Sequence, residues 1–240
     1  MLVEVCCNSL ESALNAERAG ADRIELCSEL GVGGITPSHG LIKLVREKLS
    51  IPIHVLIRPR SGHFTYSETD FEVMKADIEF CKEIGVDGIV SGVLTGDFYV
   101  HLDKTAELIT LSKPMHFTFH RAFDWVVNPI ESISQLEGLG VNTILTSAQQ
   151  ESALEGLSTI QEWQASTNHL VIMPGGGISP NNIHRFKSSK IQAVHLSGTS
   201  FTNEVDVSHK IPMNSEKYLE ERHVAVTNFD AIRQVVESVK

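Results

Sequence analysis

The chain has 240 residues, a formal net charge of −10, four cysteines and a hydrophobic fraction of 42%. That charge argues against a nucleic-acid or anionic-membrane surface, and no apolar run approaches the roughly 20 residues of a membrane span. The N-terminus has no basic segment or long apolar stretch, and cysteines at 6, 7, 27 and 81 lack the spacing of a disulfide framework. A reduced, cytoplasmic setting is the expectation.

Strand-like apolar runs alternate with amphipathic stretches along the chain. Leu2–Cys6 reads as a strand, and a helix over Ser9–Ala19 starts at a serine cap. Arg23–Leu26 is a second strand, followed by the glycine-rich loop Gly31–Pro37 and a helix over Ser38–Lys48. Ile53–Ile57 is the third, ending at Arg58-Pro59-Arg60; the long helix Ser67–Ile84 opens with Ser67 and Asp70, close to a capping box. Strands at Gly88–Ser91, His116–Phe119 and Thr143–Thr146 lead into helices Leu102–Leu111, Pro129–Leu139 and Glu151–Ala165. Leu170–Met173 is a seventh strand, stopped by Pro174 and three glycines, after which Ser179-Pro180-Asn181-Asn182 reads as the start of a helix running to Lys187. Ala193–Leu196 is the eighth strand, and Asn228–Val239 a capped terminal helix. Residues 201–227 give no clear periodicity, and the acidic run Glu216–Glu221 reads as a solvated segment.

Three segments share the pattern Gly-apolar-Asp/Asn-x-Ile: Gly20–Ile24, Gly85–Ile89 and Gly140–Ile144. In each, a helix ends at glycine and a short polar turn feeds a parallel strand. Eight strands alternating with eight helices in one chain predict a (β/α)8 TIM barrel forming a single domain over 1–240. A doubly wound sheet would call for a GxGxxG motif after the first strand, and none follows Cys6.

A barrel carries its chemistry at the C-terminal ends of its strands. The residues falling there are Cys6, Cys7, Glu25, Cys27, Arg58, Arg60, Ser91, His120, Arg121, Asp124, Thr146 and Ser147. Gly175, Gly176 and Gly177 follow strand seven, and Ser197 and Gly198 follow strand eight, the usual phosphate corner of such a fold. Together with the guanidinium groups of Arg58, Arg60 and Arg121 they are candidates for binding a small anion. Glu25, His120 and Asp124 are the candidate acid–base groups, although Asp124 equally suits a loop cap and His120 a buried rim residue. His54, His116 and His195 read as core histidines paired with backbone. No lysine ends a strand, which argues against Schiff-base chemistry, and no cluster of His, Asp and Glu has divalent-metal spacing.

Six blocks in order are similar to one known family: Glu4-Val5-Cys6, Ala16–Cys27, Ile57-Arg58-Pro59-Arg60, Val73–Ile78, Thr118–Asp124 and Met173–Ile178. The chain resembles the CutC copper-homeostasis family from the first strand to the eighth, and the likeness fades after about Ser200. The resemblance implies a cytoplasmic TIM barrel, often dimeric, that binds Cu(I), and it places the copper ligands on Cys6 and Cys27. Adjacent strands lie about 4.8 Å apart, so two soft thiolates at these strand ends suit Cu(I). The alternatives at this point are small buried hydrophobes at both cysteines, or a cofactor-free isomerase, lyase or hydrolase acting on a small phosphorylated or carboxylated metabolite. Cys7, on the opposite face of strand one, and Cys81, on an apolar helix stripe, read as core.

Overall fold

The computed structural model describes residues 1–202, 205–211, 213 and 223–240. Eight parallel strands form one sheet: β1 (Leu2–Cys7), β2 (Arg23–Leu26), β3 (Ile53–Leu56), β4 (Gly88–Ser91), β5 (His116–Phe119), β6 (Thr143–Thr146), β7 (Val171–Pro174) and β8 (Ala193–Leu196). Their order is β7-β6-β5-β4-β3-β2-β1-β8, and a parallel bridge between Gly175 and His195 joins the two ends. The result is the expected TIM barrel, ringed by α1 (Leu10–Arg18), α2 (His39–Lys48), α3 (Glu68–Ile84), α4 (Leu102–Ser112), α5 (Pro129–Leu139), α6 (Leu157–Ala165), α7 (Ile183–Ser188) and α8 (Phe229–Val239). Two short antiparallel strands, β9 (Thr199–Thr202) and β10 (Val224–Thr227), precede α8. They fall at the two ends of the stretch without clear periodicity; Glu216–Glu221 lies outside the described residues. No helix among the described residues is long and apolar enough to cross a membrane.

Local chemistry accounts for most element ends. Ser9, Ser38 and Ser67 accept the first-turn N–H groups of α1, α2 and α3, and Ser67 and Asp70 form a full capping box. Gly20, Gly85 and Gly140 all sit at left-handed φ (+88°, +76° and +88°), which is why the repeated turn carries glycine there. A Cβ at Gly85 would meet nothing within 4 Å, so Gly85→Ala tests backbone strain alone. We expect it to lower stability by about 1–2 kcal/mol in urea denaturation and to leave ligand binding unchanged.

Two helix starts differ from the sequence expectation. The helix after β7 begins at Ile183, because Asn182 Oδ1 accepts from Ser179 N and its Nδ2 donates to Gly177 O, holding 177–182 as a turn. The helix after β6 begins at Leu157 rather than Glu151. There the chain turns against the β6 loop so closely that a Cβ on Gly156 would lie 2.2 Å from the Ser147 carbonyl oxygen.

Strand alternation divides the side chains into two populations. Val3, Val5, Cys7, Ile24, Leu26, Ile53, Val55, Ile89, Phe117, Phe119, Ile144, Ile172 and Val194 face outward into one continuous apolar core beneath the helices. Cys7 is therefore core, as expected, and Cys81 joins the same core from α3. The opposite phase lines the lumen. It holds two small apolar clusters, Cys6/Cys27/Leu56/Val90 and Leu145/Met173/Ala193, and a set of charged and imidazole side chains.

Candidate functional site

β1 and β2 pair with Cys6 opposite Glu25, and the chain beyond β2 stays in register because Cys27 N donates to Cys7 O at 2.9 Å. Alternation then turns Cys6, Glu25 and Cys27 to the same side, at the C-terminal end of the lumen. The two Sγ atoms lie 3.4 Å apart, and Cys6 Sγ is 3.8 Å from Glu25 Oε1. Leu56, Val90 and Leu30 enclose the pair, leaving Cys6 only 6% exposed and Cys27 0%. The sulfur contact with Cys27, and then burial, raise the Cys6 thiol well above its ordinary pKa of 9.0, so Cys6 keeps its proton at neutral pH.

Beneath the thiols lies a charged layer. Glu4, fully buried on β1, is ion-paired with Arg23 of β2 and accepts at Oε1 from His195 Nδ1 of β8 at 2.8 Å; its Oε2 is 3.7 Å from His54 Nδ1. Burial would raise the Glu4 pKa, but His195 and Arg23 outweigh it and hold the carboxylate well below the usual range. Burial likewise opposes the His195 imidazolium, and Glu25 and Glu4 overcome it, raising that pKa. Glu25 goes the other way: burial, reinforced by Glu4, pushes its carboxyl up to about 7. Its Oε2 is 3.9 Å from His195 Nδ1 and has no hydrogen-bond partner.

The three strand histidines pair with side chains rather than backbone. His195 and His54 face Glu4, and His116 Nε2 meets Thr143 Oγ1 at 3.0 Å. Burial depresses His54 to about 3 and His116 to about 4, so both rings are neutral near pH 7. Glu4, Arg23 and His195 are thus site residues that sequence reasoning misses. Their signal is their phase, since each polar residue alternates with apolar neighbours in the register of Cys6.

The rim residues do not converge on one clamp. Arg58 is buried and gives its guanidinium to the carbonyls of Val32, Gly34 and Gly62; Arg60 pairs with Asp70 and donates to Ser61 O, His63 O and Thr65 O. Both arginines therefore hold loops, because a carbonyl-rich turn beside a guanidinium fills its donors locally. Arg121 Nε pairs with Asp124 at 2.7 Å and its Nη2 donates to Ser147 Oγ at 2.7 Å. Asp124 also accepts from Thr146 Oγ1 and from the N–H groups of Ser147 and Gln149, the loop-cap alternative for this residue. His120 accepts at Nδ1 from Ala122 N within its own turn, and burial, helped by Arg58, lowers it to about 3.

The glycines of the two loops have different neighbours. A Cβ on Gly176 would lie 3.3 Å from Arg121 Nη1, whereas Ser197 and Gly198 line a different cleft of about 460 Å³ with Ser179, Asn228 and Asp230. In that cleft Asn228 Oδ1 already caps Ala231 N and Asp230 occupies the first turn of α8. Gly175 is committed to the bridge with His195 that closes the barrel.

Residues 1–200 match the model of the CutC family, from β1 through the end of β8. The chain belongs to the CutC family. It is 46% identical over 201 residues to the human copper homeostasis protein cutC homolog, covering 83% of this chain and 74% of that protein. It is 45% identical over 197 residues to the family protein CutC of Edwardsiella ictaluri, covering 82% of this chain and 78% of the relative. The solved CutC structure from Streptococcus agalactiae superposes with a TM-score of 0.78 at 30% identity, over 82% of this chain and 98% of that one. At the level of fold alone, 3-hexulose-6-phosphate synthase from Salmonella typhimurium also aligns, with a TM-score of 0.62 at 13% identity over 100% of this chain and 98% of that one. The CutC match ends within β9, so the thiol pair and the charged layer lie inside the shared barrel, and β10 and α8 lie beyond it.

Proposed function

We propose that this CutC-family barrel binds Cu(I) through Cys6 and Cys27 and serves copper homeostasis in the cytoplasm. The observation that carries the reading is the 3.4 Å contact between two buried thiols at one end of the lumen. Two sulfurs in an apolar enclosure suit a soft monovalent ion. Binding displaces the thiol protons, so affinity rises with pH. His195 lies in the layer below, its pKa raised by Glu25 and Glu4 against the effect of burial, and opposes the build-up of negative charge in a bis-thiolate complex. A homodimer, expected from the family resemblance, belongs to the same reading.

The test is a Cu(I) titration against a competing chelator under reducing conditions, on the native chain and on Cys6→Ser with Cys27→Ser. One equivalent bound by the native chain and none by the double variant is the expected result. Binding that survives both substitutions removes the thiol pair as the site.

A second reading, an enzyme acting on a small phosphorylated or carboxylated metabolite without a cofactor, is favoured by one observation. Glu25 lies beside the mouth, and burial pushes its carboxyl up to about 7, the range in which a general acid–base group is most effective. Across the rim, Arg121 beside Gly176 offers a cation next to left-handed backbone at φ +117°. A thermal-shift screen of phosphorylated and carboxylated metabolites on metal-free protein, repeated with Arg121→Ala, tests it. A stabilising ligand whose effect disappears in the variant supports the enzyme, and no shift across the screen counts against it.

A further inference from the structure

We propose that Cys6, Glu25 and His195 form a second metal site, for a divalent ion of the zinc class, which uses the same Cys6 sulfur as the thiol pair. The three come from β1, β2 and β8, and one ligand atom from each lies within 4.8 Å of the others. Glu25 links the other two: its Oε1 lies 3.8 Å from Cys6 Sγ and its Oε2 lies 3.9 Å from the His195 ring at Nδ1. Two further observations point to a ligand here. Glu25 is 5% exposed, yet its Oε2 has no hydrogen-bond partner. A buried polar atom left unpaired is disfavoured unless something else completes it. Glu4 Oε1 accepts from His195 Nδ1 at 2.8 Å, which leaves Nε2 as the nitrogen that would ligate and is the carboxylate–histidine contact that orients ligating imidazoles and raises their basicity.

The donor set decides the class of ion. One thiolate, one carboxylate and one imidazole form a borderline set that matches zinc, and three protein ligands leave a fourth tetrahedral position for water. The charges agree as well. With the ion bound, Glu4, Glu25 and the Cys6 thiolate balance Arg23 and the divalent cation, so the buried layer is neutral. Cys27 takes no part, which separates this site from the sulfur pair. Because both use Cys6, a divalent ion and Cu(I) exclude one another; that exclusion rests on the copper reading above, whereas the three-donor site does not.

Co²⁺ serves as the spectroscopic probe on the metal-free full chain, with Zn²⁺ as competitor. We expect one equivalent of Co²⁺, with tetrahedral d–d bands and a thiolate charge-transfer band, displaced by Zn²⁺. Cys27→Ser should retain these spectra, while Glu25→Gln and His195→Gln should each weaken Co²⁺ binding by more than about tenfold. Circular dichroism and Tm on each variant identify any that fail to fold, and the lone survivor of the Glu25 and His195 pair then decides the question. Loss of the Co²⁺ spectrum in Cys27→Ser, or unchanged affinity in both Glu25→Gln and His195→Gln, overturns the site. Co²⁺ binding that persists where Cu(I) binding fails would sink the copper reading and leave this one standing.

Discussion

Replacing Glu4 by glutamine is expected to destabilise the fold by about 3–5 kcal/mol, the usual consequence of removing one partner from a buried ion pair. Glu4 has no solvent exposure, and it is the point at which Arg23, His195 and His54 meet. The amide keeps the shape and removes the charge, leaving the Arg23 guanidinium, 8% exposed, without a counter-ion in the lumen. The pH dependence carries a definite sign. The Glu4 carboxylate is held well below its ordinary pKa of 4.5, so its stabilisation is present above that value and is lost as pH falls through the lower folded-state value. Urea denaturation of the native chain and Glu4→Gln at pH 7 and at pH 3 measures both effects. A loss below about 1 kcal/mol at pH 7 would mean that water screens the network as it does at a surface.

Glu25→Gln should act in the opposite direction and stabilise the metal-free protein at pH 8. Moving a carboxyl from 4.5 to about 7 corresponds to about 3 kcal/mol, at about 1.4 kcal/mol for each pKa unit. Because the folded-state value is the higher one, the favourable contribution is complete below pH 4.5 and is lost as pH rises through about 7. The raised pKa of His195 gives a slope of the same sign, above its ordinary 6.5. The native chain should therefore lose stability steadily between pH 4.5 and 7, and Glu25→Gln should flatten most of that loss. Equal Tm values for the two proteins at pH 8 would show that Glu25 is well solvated.

The opposite effects expected at Glu4 and Glu25 follow from a few ångströms of placement. Both are glutamates on adjacent strands, in the same inward phase. Glu4 has Arg23 and His195 within contact distance, whereas Glu25 meets the Cys6 sulfur and its own Oε2 has no hydrogen-bond partner. Nothing in the two local sequences, Val3-Glu4-Val5 and Ile24-Glu25-Leu26, separates them.

Much of the barrel is legible in the sequence. The glycine that ends a helix in three repeats, the serine caps of α1, α2 and α3, and the short apolar strands are local signals, each decided by residues within one turn or one strand. The pairing of Cys6 with Cys27 is legible too, because consecutive strands of a parallel barrel lie side by side. The rim is not. Arg58, Arg60 and Arg121 stand at strand ends as expected, but loop carbonyls and Asp124 take up their donors. Their sequence neighbours do not reveal where a loop will fold back. The same reason separates Gly176 from Gly198, whose partners are Arg121 on one side and α8 on the other.

The sequence by itself determined the strand and helix alternation, the strand-end positions of Cys6 and Cys27 and the family, because these depend on periodicity, caps and motifs read along the chain. Only the tertiary structure decided which inward residues meet. β8 must return to β1 to close the barrel, and that contact brings His195 against Glu4 and Glu25 across most of the length of the chain. The distance between those side chains is a property of closure, and it converts separate polar positions into one candidate metal centre.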